Sequence, residues 1–314
     1  MNKVLANISC FNFNKINSDF NGYRDITGNK EEHIKFHNSS SMRIWYNDLS
    51  THFETHWHNA LEIIVPIENY YESEIENERF HIMPSEILFI PPGKLHSLTP
   101  PPSGKRFIFL FDISHLAELN SFSNIQSLVT KPIHVTQSTY PNIYDDIFEL
   151  LFQILNEYIN KNEFFELTIY SLLINIFVKF GYNHIHTKNL FPNVRLNKQK
   201  EYVQKFNNLL SYINTHYTED LKLEDIAASA GFSKYHFSRL FKQYTDFTFY
   251  EYLCYRRIKA AEELLIQPDL SITEIALQSG FSSLSAFNRL FKQQRHCTPS
   301  EYRTKNHTIQ FKSI

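Results

Sequence analysis

Two segments near the C-terminus of this chain are copies of one another. Ile226-Ala227-Ala228-Ser229-Ala230-Gly231-Phe232-Ser233 returns as Ile275-Ala276-Leu277-Gln278-Ser279-Gly280-Phe281-Ser282, shifted by 49. Phe237-Ser238-Arg239-Leu240-Phe241-Lys242-Gln243 returns as Phe287-Asn288-Arg289-Leu290-Phe291-Lys292-Gln293, shifted by 50. Each copy closes on Thr-x-x-Glu-Tyr, at Thr248/Glu251/Tyr252 and Thr298/Glu301/Tyr302. A repeat at a fixed period means one supersecondary unit used twice. Each copy reads as a short apolar helix, a glycine turn and a second helix bearing Arg and Lys, the pattern of a helix-turn-helix that places a helix in the DNA major groove.

Helical spacing sorts the residues of each unit. In the first, Leu223, Ile226 and Ala227 point inward, Gly231 takes the turn, and Ser233 caps the next helix. Phe237, Leu240, Phe241 and Tyr244 face the core, which leaves Lys234, Tyr235, Ser238, Arg239 and Lys242 toward DNA. In the second, Ile272, Ile275, Ala276, Phe287, Leu290 and Phe291 face inward, and Ser283, Leu284, Ser285, Asn288, Arg289 and Lys292 face outward. The arginines suit guanine edges or phosphate, the lysines phosphate. Thr248 to Glu251 and Ser271 to Glu274 are capping boxes. The first opens a linking helix to about Ile266. At about 1.5 Å per residue it spans about 25 Å and would hold the two recognition helices about one DNA turn apart.

Charge divides along the chain. The net charge is −2, but Lys198 onward carries 16 Lys and Arg against 12 Asp and Glu, and the preceding part 15 against 21. A basic segment of +4 on an acidic partner of −6 suits a DNA-binding domain joined to something else. Cys10, Cys254 and Cys297 match no metal or redox spacing, which points to a reducing cytoplasm. No secretory pattern opens the chain. Leu167 to Val178, the most apolar stretch, is uncharged for only 12 positions, short of the roughly 20 a membrane span needs, so a buried helix and no membrane partner are expected.

From Met42 to Asp112 the pattern is that of strands. Met42–Tyr46, Leu61–Val65, Ile87–Ile90 and Phe107–Phe111 are short β-branched or aromatic runs punctuated by prolines, as in a small barrel or jelly roll. From Tyr140 the period becomes helical. Ile143, Ile147, Leu150, Leu151, Ile154 and Tyr158 share one face, and Leu167, Tyr170, Leu173, Ile174 and Phe177 share a face on the next helix. This pair either dimerises the chain or packs on the barrel. His56, His58 and Glu62 fall at even intervals, so on one strand they share a face.

The Ile-Ala-x-x-x-Gly-Phe-Ser turn, the Phe-x-Arg-x-Phe-Lys helix and Thr298-Pro299-Ser300-Glu301-Tyr302-Arg303 resemble the AraC/XylS family of bacterial transcription regulators, over roughly Lys205 to Arg303. The resemblance implies promoter DNA as partner, with base contacts from Tyr235, Ser238, Arg239, Leu284, Ser285, Asn288 and Arg289. His56-x-His58-x3-Glu62 and Pro91-x-Gly93-x2-His96 resemble the two boxes of the cupin barrel. Ile67-Glu68-Asn69-Tyr70 and Pro84-Ser85-Glu86 stand where cupins carry glycines. Cupins with this set often hold a divalent metal on three His and one Glu, whereas barrels fused to AraC-type domains commonly sense small molecules. The expectation is therefore that His56, His58, Glu62 and His96 line an effector pocket without metal or cofactor, with structural histidines hydrogen-bonded inside the barrel or a metal on the same four residues as the alternatives.

The resulting fold class is α+β multidomain: a cupin-like β-barrel with a helical pair, then an all-α domain of two helix-turn-helix units joined by a long helix. The expected bounds are 1–135 for the sensing barrel, 136–183 for the helical pair, 184–197 for a linker and 198–305 for the DNA-binding domain. The expected function is a cytoplasmic, effector-controlled, sequence-specific DNA-binding regulator and not an enzyme. A homodimer, with RNA polymerase as a further partner, completes that expectation. The rival is a metal-dependent cupin enzyme or metal sensor with a DNA-binding tail.

Overall fold

The apolar runs of the first half pair as antiparallel strands, and the helical patterns of the second half form helices. The computed structural model describes residues 25–27, 30–36, 40–48, 50, 52–114, 116, 130–187, 196–267 and 269–310. The strands are β1 (Met42–Asn47), β2 (Phe53–His56), β3 (Leu61–Pro66), β4 (Tyr71–Ile75), β5 (Glu78–Ile82), β6 (Ile87–Ile90), β7 (His96–Thr99), β8 (Arg106–Phe111) and β9 (Ile133–Val135). The helices are α1 (Tyr144–Asn160), α2 (Phe165–Thr187), α3 (Leu196–His216), α4 (Leu223–Ser229), α5 (Lys234–Thr245), α6 (Phe249–Leu265), α7 (Ile272–Gln278), α8 (Leu284–Arg295) and α9 (Pro299–Gln310). They divide into two compact units, one holding the strands with α1 and α2, the other holding α3 to α9.

In the first unit a five-stranded sheet, β1-β8-β3-β6-β9, and a four-stranded sheet, β2-β7-β4-β5, share one core. Ile64, Leu88 and Ile90 from the first sheet pack with Phe53, Tyr71, Ile75, Ile82 and Leu98 from the second. The opposite face of the five-stranded sheet is covered by helices. Val65, Phe107 and Phe109 meet Phe148, Leu151 and Leu155 of α1, and Phe111 and Phe89 meet Tyr170 and Phe180 of α2. With both faces covered, β3, β6 and β8 are buried at every position. The four-stranded sheet has a solvent face, so β4 alternates buried and exposed residues. The cupin-like departures have a local answer. Asn69 and Ser85 adopt positive φ, 60° and 72°, where glycine would be free of strain.

Helix α2 corrects two expectations. It is 23 residues long, and its span Phe165–His184 is long and apolar enough to cross a membrane by length and composition. Its contacts, however, are those of a domain helix. Glu166 accepts from the Ser41 N–H, and the Tyr170 hydroxyl donates to the carbonyls of Ser41 and Asp112. Nor is it buried throughout. Ile169, Leu173, Ile176, Phe177 and Phe180 form the packed face, while Leu167, expected there, is 73% exposed and Ile174 and Tyr170 are half-buried. Helix α2 continues through Thr187 and α3 opens at Leu196, so helical residues enter both ends of the expected linker, whose centre, 188–195, lies outside the described residues.

In the second unit, α4 and α5 form the first repeat and α7 and α8 the second, with α6 between them. Gly231 and Gly280 both take positive φ, 75° and 85°. Ser233 accepts from the His236 N–H and Ser283 from the Ala286 N–H, and both capping boxes close. Leu290 and Ile272, expected as core anchors, are half-buried.

Candidate DNA interface and barrel site

Helices α5 and α8 are both 12 residues long and both end on a left-handed residue, Asp246 and His296. They therefore present equivalent positions 50 residues apart. On α5, Lys234, Tyr235, Arg239 and Lys242 are exposed and Ser238 is half-buried; Tyr235 is 86% exposed, unusual for so large a ring. On α8, Leu284, Ser285, Asn288, Arg289 and Lys292 are exposed. Ser283 is exposed too, but its hydroxyl oxygen already serves as the cap of α8. Lys234 is engaged with Glu224 of α4. Among the described residues no carboxylate pairs with Arg239, Lys242, Arg289 or Lys292, so four cations remain available to an anion.

The two helices are seated differently. Phe206 of α3 lies among Phe232, Phe237, Phe241 and Tyr244, with ring centroids 5.3–6.4 Å away, and so fixes α5. Helix α8 is fixed by Phe287 and Phe291 and by a buried ion pair. Arg295 in its last turn grips Glu262 of α6, with Nη2 to Oε2 at 3.2 Å and Nε in contact with the other oxygen. Burial by itself opposes ionisation of Glu262, but Arg295 and then Lys259 hold its carboxyl below the usual range. This pair carried no motif and was missed in the sequence. The available signal was that Arg295 replaces Thr245 of the first repeat, a residue that is wholly buried.

In the barrel, His56, His58, Glu62 and His96 do converge, though His56, His58 and Glu62 do not lie on one strand as expected. His56 ends β2, His58 lies in the connection that crosses to the other sheet, Glu62 is on β3, and His96 opens β7 opposite His56. The three imidazoles are buried, and one nitrogen from each lies within 4.8 Å of the others. Glu62 Oε2 lies 3.2 Å from His58 Nε2 and 3.1 Å from His96 Nε2. Burial alone raises the Glu62 pKa, but these two contacts override it and hold the carboxyl well below the usual range. A buried residue absent from the expected set joins them: Glu32 Oε2 stands 3.3 Å from His56 Nε2. Imidazoles and carboxylates of this kind fit a borderline divalent metal. Beside them, Ile34, Trp45, Asn47, Phe53, Leu98, Ile108 and Leu110 line a small pocket, partly open to solvent, that His58, Glu62 and Glu32 also border.

Two family models match the chain. One is described as an AraC-like ligand binding domain, over residues 43–177, and the other as a helix-turn-helix domain, over residues 226–305. An uncharacterized HTH-type transcriptional regulator of Staphylococcus aureus (strain COL) is 30% identical over 194 residues, covering 62% of this chain and 24% of that protein. The regulatory protein PocR of Salmonella typhimurium is 32% identical over 169 residues, covering 51% of this chain and 56% of PocR. The chain thus spans about a quarter of the staphylococcal relative's length and just over half of PocR's. A solved AraC-type DNA-binding domain protein from Chromobacterium violaceum is 32% identical, with a TM-score of 0.32, covering 34% of this chain and 96% of that one.

Proposed function

From the premise that this chain belongs to the AraC family of transcription regulators, we propose that it binds promoter DNA through α5 and α8 under control of a small molecule bound in the barrel. The observation that carries this is the matched pair of helices, each exposing Arg and Lys at the same register with no intramolecular ion pair among the described residues. Arg239 and Arg289 reach base edges or phosphates, Lys242 and Lys292 neutralise phosphates, and the α6 spacer sets the two contacts about one turn apart. Tyr235, Ser238 and Lys234 on α5, with Ser283, Leu284, Ser285 and Asn288 on α8, complete the surface. The effector would occupy the pocket beside His58 and Glu62, and its binding would shift the population of DNA-competent states. A regulator of this kind acts in the cytoplasm, and α1 with α2 offers a surface for a second copy.

Anisotropy titrations of the full chain against its own upstream promoter fragment and random DNA, over a salt series, test this. Lys242→Ala and Lys292→Ala should each weaken binding to both DNAs and lower the salt slope by about one unit. Unchanged slopes in both variants would take these lysines off the interface, and equal affinity for both DNAs in the parent protein would remove sequence specificity.

A further inference from the structure

The first turn of α6 lies beside the recognition face of α5. Phe249, the first residue of α6, is buried, with its ring centroid 6.4 Å from Phe237 and 6.0 Å from Phe241 on the inner side of α5. That anchor leaves the next residue, Tyr250, outward: it is 54% exposed, its ring 5.2 Å from that of Phe249. Tyr250 stands near Lys234 at the start of α5. The Glu224 carboxylate, 2.5 Å away, raises the Lys234 pKa, and Tyr235 and Tyr250 are close enough to add to it. On α6, Tyr250, Cys254 and Arg257 follow at i, i+4 and i+7, so they share one side. The other recognition helix lies farther along that side. Burial raises the Cys254 pKa, and the charges of Arg257 and then Arg289 oppose it. This side of α6 therefore runs from Lys234 of α5 toward Arg289 of α8, and of its three residues only Tyr250 is exposed.

We propose that Tyr250 is a DNA contact of the linking helix, its hydroxyl donating a hydrogen bond to a backbone phosphate at the edge of the groove that α5 enters. This rests on the reading of α5 as a recognition helix. Such a helix fills the major groove, so an element packed on its inner side and emerging at its flank meets the sugar-phosphate backbone rather than base edges. A neutral donor suits that place, because Lys234 beside it is already held by Glu224. The Tyr250 hydroxyl has one proton to donate and no hydrogen-bond partner among the described residues. The second repeat keeps the arrangement. Pro299 opens α9 and is buried, and Ser300 after it is exposed, 50 residues beyond Phe249 and Tyr250. Both helices that follow a recognition helix thus turn a hydroxyl outward at the same step. The one in the first unit sits on a long rigid ring, and the one in the second on a single carbon, so the phosphate contact belongs chiefly to the first unit.

Anisotropy titrations of full-length Tyr250→Phe against the upstream promoter fragment and random DNA, over a salt series, test this together with hydroxyl-radical footprinting of the parent. Loss of one hydrogen bond to a charged acceptor should weaken binding to both DNAs roughly tenfold. The salt slope should stay that of the parent, because no cation is lost. Tyr70→Phe, at an exposed tyrosine of the barrel, should bind as the parent does. In the parent, either DNA should protect Tyr250 and Tyr235 from oxidation. Unchanged affinity in folded Tyr250→Phe overturns the contact, since that variant keeps the ring and removes only the hydroxyl. Weakening on the promoter fragment alone also overturns it, as the mark of a base reader, and so does a lower salt slope, as the mark of an effect through Lys234. Protection of Tyr235 with Tyr250 still fully reactive overturns it without any variant, and leaves the DNA-binding reading standing. A parent protein that binds neither DNA ends both.

Discussion

Both helix-turn-helix units are packed by aromatic rings, but the second adds a buried ion pair and a close backbone approach that the first lacks among the described residues. Around Gly231 a Cβ would find nothing within 4 Å, whereas at Gly280 it would meet the Thr218 Cα at 2.7 Å, the Tyr217 carbonyl oxygen at 2.8 Å and Arg257 Nε at 3.0 Å. Arg257 of α6 donates to the carbonyls of Tyr217 and Glu219, at 2.7 and 2.8 Å. The loop after α3 is therefore pinned by the linking helix and wedged by the turn of the second unit. Repetition in sequence dictates the register of the two recognition helices, but not how each is attached. The second is tied to α6 through Arg295, while its turn at Gly280 packs closely on the loop after α3 and on the Arg257 side chain, and that attachment would transmit a fixed spacing to DNA.

The largest expected effect comes from removing one partner of the buried pair. Glu262→Ala leaves Arg295 charged and buried, and should cost the second unit about 3–5 kcal/mol. Hydrogen exchange should then accelerate across α7 and α8 while α4 and α5 keep their protection. Equal loss in both units would mean that they unfold together and that the contrast in attachment has no energetic content.

Next comes the glycine pair. Gly231→Ala adds only the left-handed strain of a side chain, about 1–2 kcal/mol. Gly280→Ala adds that strain plus overpacking of about 1–3 kcal/mol against backbone atoms that cannot swing away. Denaturant melts of the two variants should separate accordingly, and a Gly280→Ala no worse than Gly231→Ala would dissolve the wedge.

The smallest effect concerns DNA. Where α5 offers Lys234 and Tyr235, α8 offers Leu284 and Ser285, which lack long polar reach. Arg239→Ala should therefore relax sequence preference more than Arg289→Ala, by about 1–3 kcal/mol at a guanine, at positions about 10 base pairs apart. Site selection from random DNA decides this, and selection of the parent motif by both variants would end the base-reading role of both arginines.

Legibility varied with burial geometry. Strands β3, β6 and β8 were readable because a sheet covered on both faces demands continuous apolar runs, and β1 because Met42, Ile44, Trp45 and Tyr46 are β-branched, aromatic or apolar. The hairpin β4–β5 was not, since Glu72, Glu74, Glu78, Arg79 and His81 on or near its solvent face dilute the run. The capping boxes, the serine caps and the 17-residue linking helix were all visible, being local chemistry at fixed offsets. Leu167 was misplaced because an apolar residue fits either side of a helix by pattern, and only the packing partner decides which side is buried.

By itself, then, the sequence determined the repeated unit, its turn, its caps and the polarity of its recognition helices, because each depends on residues within one or two helical turns. It also announced His56, His58, Glu62 and His96 as a set. Only the tertiary structure decided that His56, His58 and Glu62 come from β2, the connection after it and β3 rather than from one strand, that Glu32 reaches His56 from 24 residues upstream, and that Arg295 finds Glu262 across 33 residues. Those are long-range pairings of single side chains. No local periodicity encodes them; they exist because the backbone fold carries distant residues into the same dry space, where an acceptor or a charge must find its complement.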